Sequence, residues 1–94
     1  MAFLIDATMK GYECRGTETG TSKKGNTFKT IRLESQGGRT CEVTCTDSNL
    51  FGAVDAMRKA SIYNLDVRAV AGRERSYLML LDAPVLVTSE QVDY

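Results

Sequence analysis

The sequence predicts a mainly β domain: five strands closed into a small barrel, with one short helix between the third and the fourth. Three observations predict it. Apolar and polar residues alternate with period two in five separate stretches. Segments rich in glycine, serine and asparagine punctuate those stretches. Between the third and fourth stretches the apolar period lengthens to that of a helix.

The first strand starts with Phe3, Ile5, Ala7 and Met9 on one face and Asp6, Thr8 and Lys10 on the other. Gly11 marks a bulge, after which the strand continues through Tyr12 and Cys14. Residues 16–26, dense in glycine, threonine and serine, read as a mobile hairpin loop. A second strand is expected over 27–35, a tight turn at Gln36-Gly37-Gly38, and a third strand over 39–46. In the third, Cys41, Val43 and Cys45 face inward and Thr40, Glu42 and Thr44 outward.

Asp47 or Ser48 then caps a helix over 48–60, on which Leu50, Val54 and Met57 recur at helical spacing. Residues 64–72 return to alternation, 72–76 form a charged turn, and 77–87 make a last strand with Pro84 at a sheet edge. The domain is expected to span 1–88, leaving 89–94 as a short acidic tail. Three strands, a helix and two strands is the order of the OB-fold, a five-stranded Greek-key barrel. A generic small barrel plugged by a helix shares that order.

Composition narrows the function. The 94 residues hold no histidine, which removes histidine-based triads and the commonest zinc ligands. No nucleophile–base pair, metal constellation or phosphate loop is recognisable, so the chain reads as a non-enzyme without cofactor, metal or small-molecule substrate. Cys41 and Cys45, four apart on one strand, lie about 13 Å apart, too far for a disulfide. The apolar runs fall short of a membrane span, and Asp6 interrupts the apolar start, so a cytoplasmic protein is expected.

Formal net charge is zero, yet the charges are unevenly distributed. Seven basic residues (Lys10, Arg15, Lys23, Lys24, Lys29, Arg32, Arg39) stand against three acids between positions 10 and 39. From Thr40 onward five basic residues face eight acids. The basic half contains the most telling segment, Gly20 to Leu33, a glycine-bounded basic turn that runs into an alternating strand. If Ile31 and Leu33 point inward, Phe28, Thr30 and Arg32 emerge on the other face. A ring and cations on one exposed face suit single-stranded nucleic acid, with bases stacking and phosphates tracked by charge.

At this point Ser22-Lys23-Lys24-Gly25-Asn26-Thr27-Phe28 resembles the basic-loop-then-aromatic motif of the gene V type helix-destabilising proteins of filamentous phages. Ser76 to Asp82, followed by Val85-Leu86-Val87, is similar to the final strand of that group. The resemblance implies a dimeric OB-fold protein of a phage or mobile element that coats single-stranded DNA during replication, without catalysis. It places Lys23 and Lys24 at phosphate-contacting positions and Phe28 where the family stacks a tyrosine on a base.

The expected interface comprises Lys23, Lys24, Phe28, Lys29, Arg32 and Arg39, with Tyr12, Tyr77, Arg73 and Arg75 as flanking candidates. Its expected partners are single-stranded DNA and a second copy of the chain. The competing readings are an OB-type protein-interaction module without nucleic-acid affinity and an RNA-binding OB domain.

Overall fold

The computed structural model describes residues 3–71 and 76–87. Its strands are β1 (Phe3–Thr21), β2 (Thr27–Glu34), β3 (Thr40–Cys45), β4 (Ile62–Ala71), β5 (Ser76–Leu80) and β6 (Val85–Leu86). A 3₁₀ turn (Ser48–Leu50) leads into the helix α1 (Phe51–Asp55). The sheet runs β1-β2-β3-β5-β4, and pairing of β4 back onto β1 closes it into a five-stranded barrel. All neighbours are antiparallel except β3 and β5, which pair in parallel through Val43–Leu78 and Thr44–Met79. This is the expected OB-type Greek-key barrel with its helix between β3 and β4.

Closure depends on β1 serving two partners. Its first part pairs with β4 from Phe3–Ala71 to Glu13–Ile62, and its second with β2 from Glu13–Glu34 to Thr21–Thr27. A straight strand could not do both. The register slips between Met9 and Tyr12 and again between Cys14 and Gly16, and such bulges bend a strand and add twist. Gly11 (φ 72°) provides the first bend, and its N–H donates to the Asn64 side chain at 2.9 Å. The second bend falls at Gly16 (φ 138°), inside the stretch that reads as loop from the sequence.

The core follows the alternation. Cys14, Ile31, Leu33, Val43, Cys45, Leu65, Val67 and Leu80 fill the barrel, and Val54 plugs it from α1. Leu50, just before α1, and Met57, just after it, pack against this core. The outer end of the ribbon formed by β1, β4 and β5 runs beyond this core, leaving Leu4 and Ile5 about three-fifths exposed. Arg68 clamps Asp6 there with two hydrogen bonds, at 2.7 and 3.2 Å. That hydrogen bonding holds the Asp6 carboxyl below its ordinary range. The clamp is therefore present at neutral pH and fades as acid protonates the carboxylate.

Three boundaries differ from expectation. Residues 16–21 are strand, because Thr17, Thr19 and Thr21 suit a pleat and pair with Ile31, Lys29 and Thr27. The loop is only 22–26. The helix stops at Asp55 because the segment after it is drawn onto the barrel. The Arg58 N–H donates to the Tyr63 hydroxyl at 2.7 Å, and the Ala60 N–H to the Cys14 carbonyl at 2.7 Å. The final strand is split, with β5 ending before Asp82 and β6 resuming after Pro84, which has no N–H to donate. Among the described residues no helix is long and apolar enough to cross a membrane.

That draw onto β1 puts Ala60 at φ 73°, a left-handed conformation that costs a non-glycine residue about 1–2 kcal/mol. Ala60→Gly removes the conflict but adds freedom to the unfolded chain. A net gain of about 0.5–1 kcal/mol in urea unfolding is the expected outcome.

Candidate nucleic-acid interface

The parity of β2 decides which side chains reach the outer surface. Lys29, Ile31 and Leu33 point inward, while Phe28, Thr30 and Arg32 point outward. Their outward partners across the ladder are Gly20, Glu18 and Gly16 on β1, and Thr44 and Glu42 on β3. Phe28 is half-buried on this face. It lines a groove of about 830 Å³ together with Thr27, Thr44, Thr46, Ser48, Phe51 and Tyr77. The groove thus runs across β2, β3 and β5, with the start of α1 at its rim. Three rings from three elements meet there among hydroxyl groups, and Tyr77 is 42 % exposed.

The turn at the head of this groove is built from few parts. The Gly25 N–H donates to the Ser22 carbonyl at 2.9 Å, and the Asn26 N–H to the Ser22 hydroxyl at 3.1 Å. Gly25 takes φ 85°, so Lys23 and Lys24 occupy the two corner positions. The turn between β2 and β3 repeats this design. There Gly38 donates to the Ser35 carbonyl at 2.9 Å, Arg39 to the Ser35 hydroxyl at 3.2 Å, and Gly38 takes φ 83°. Its corners hold Gln36 and Gly37. The fold needs the serine and the glycine; it does not need lysines at the corners.

The expected cations divide. Lys23 and Lys24 are exposed, and no described carboxylate pairs with them. Lys29 is a correction to the expected surface role, since its ammonium points into the end of the barrel and the residue is only 9 % exposed. It pairs with Asp55 at 2.8 Å, donates to the Thr19 hydroxyl at 2.9 Å and lies 5.5 Å from the centre of the Phe51 ring. It secures α1, and with it Phe51, against the strands. Arg32 is on the outer face but lies between Glu18 at 2.5 Å and Glu42 at 3.5 Å. Arg39 sits at the opposite tip, roughly 25 Å from Lys23 by the length of β2.

Of the flanking candidates, Tyr12 packs against the core opposite Tyr63 and is not in the groove. Tyr77 is in it. Arg73 and Arg75 lie outside the described residues. Phe51 falls one residue off the helical stripe of Leu50, Val54 and Met57, so the spacing does not point to it. Its signal was its position soon after the cap: the Asp47 side chain accepts from the Asn49 N–H at 2.9 Å and fixes where the first turn faces.

No family model, curated protein or solved structure matches this chain. Among the described residues no group of three or more histidine, cysteine or acidic side chains is placed to hold a metal ion.

The inward course of Lys29 has a measurable consequence. Asp55 is 60 % exposed, so solvent discounts the ion pair, and Lys29→Ala is expected to cost about 1 kcal/mol of stability. Thermal unfolding measures it, and an unchanged midpoint would show the ammonium to be idle.

Proposed function

We propose that this protein binds single-stranded DNA with little sequence preference, using the groove as a stacking platform and the 22–26 turn as its cationic guide. The observation that carries the reading is the convergence of Phe28, Phe51 and Tyr77 in one groove headed by Lys23 and Lys24. Rings accept any base because every base has a π-face, and lysines at the rim meet the phosphates as point charges. Threonine and serine hydroxyls along the floor suit water-mediated or direct contact with base edges and sugars.

The charge pattern suggests a path for the strand. The far half of the outer face holds Glu13, Glu18, Glu34 and Glu42 around Arg15 and Arg32. A polyanion is repelled there and favoured at the lysine tip. It therefore crosses β2, β3 and β5 through the groove instead of following β2 toward Arg39.

A helix-destabilising role in phage or plasmid replication belongs to this proposal, as does a homodimer. Among the described residues no strand pairs with the second edge of β1 over 3–12, and Leu4 and Ile5 are exposed beside it. The same open edge favours a second reading, a module that docks another protein by adding a strand. Anisotropy titration with labelled oligo-dT at low salt separates the two, and oligo-U in parallel distinguishes an RNA binder.

Stacking sets the expected size of the effects. Phe28→Ala, Phe51→Ala and Tyr77→Ala should each weaken oligo-dT binding by about 5- to 150-fold. Normal affinity in all three variants would refute the groove.

The repeated turn supplies a second test. Replacing Lys23-Lys24 by the Gln-Gly of the other tip keeps the turn and removes its charge. The plot of log K against log salt should become shallower by about 1.4, at roughly 0.7 per lost contact. Arg39→Ala should leave that slope where it was.

A further inference from the structure

We infer that Gly20 is a positioning residue for the Phe28 ring, an inference that rests on the single-strand reading above. Gly20 stands directly across the ladder from Phe28 on the outer face. A Cβ at this position would lie 2.6 Å from Phe28 Cζ, 3.0 Å from Cε2 and 3.2 Å from Cε1. The tip of the ring therefore rests over the glycine, where any side chain would stand in its place. Backbone conformation does not require glycine here: unlike Gly11, Gly16, Gly25 and Gly38, Gly20 has no positive φ. What requires it is the ring.

A glycine in a strand interior ordinarily weakens the strand, and a cross-strand ring covering it recovers part of the loss. That stabilising role alone would make no demand on where the ring finishes. The groove makes such a demand, because Phe28 lines it together with Phe51 and Tyr77. A methyl group on residue 20 displaces the free end of a flexible side chain and no backbone, so the strand accepts it and the ring moves. Function and strand propensity thus oppose each other at this position.

The test combines three measurements on the full chain. In the wild type, the Gly20 α-protons should be shifted upfield by the ring current and should return toward ordinary values in Phe28→Leu. Absence of that shift overturns the inference without reference to DNA. Gly20→Ala should then weaken oligo-dT binding at least 5-fold while its thermal midpoint stays within about 2 °C of the wild type or rises. In a Phe28→Ala background the same substitution should change affinity less than 2-fold, because no ring remains to be moved.

Two binding outcomes also sink the positioning role alone: Gly20→Ala binding normally while Phe28→Ala is impaired, or losses from the two that simply add. Normal binding by Phe28→Ala alone takes that ring, and with it the positioning role, out of the site; normal binding by all three ring variants sinks the single-strand reading instead.

Discussion

Everything in this molecule depends on one strand being bent twice. β1 must pair with β4 and then with β2, and the bulges at Gly11 and Gly16 make that turn of direction possible. Closing the barrel in this way fixes the register of β2 against β1. That register sets Ile31 and Leu33 in the core and leaves Phe28 on the outside, over Gly20. A slip of one residue would bury Phe28 and Arg32 and expose the core pair. Fold and candidate surface are therefore one constraint seen from two sides.

The strand pattern was legible because a half-buried pleat leaves its period in the sequence. Cys41, Val43 and Cys45 inward, and Thr40, Glu42 and Thr44 outward, follow from alternation alone. The Gly11 bulge was legible for a related reason, since a glycine interrupting an alternating run has few other uses. Where the reading failed, a non-local partner had decided. Thr17, Thr19 and Thr21 resemble a loop by composition and become strand because β2 lies beside them. Residues 56–60 resemble a helix by composition and are pulled off it by Tyr63 and Cys14.

The surface was legible in kind and not in membership. Parity places Phe28 outside, and the same parity places Lys29 inside, yet a lysine reads as exposed by habit of its type. What overrides the habit is an environment assembled from afar: Asp55, Thr19 and the Phe51 ring. Phe51 was likewise invisible, because its contribution depends on where a short helix is docked. Arg32 shows the remaining limit. Its exposure was foreseeable, whereas capture between Glu18 and Glu42 depends on two neighbouring strands.

The cysteines carry a consequence of their own. Cys14 and Cys45 are completely enclosed, and burial pushes the Cys45 thiol above its usual range. Neither sulfur can meet an alkylating reagent until the wall that encloses it parts. The chain thus contains its own clocks for breathing: under native conditions the pace of capture at Cys14 counts openings of the wall around β1, and that at Cys45 openings around β3.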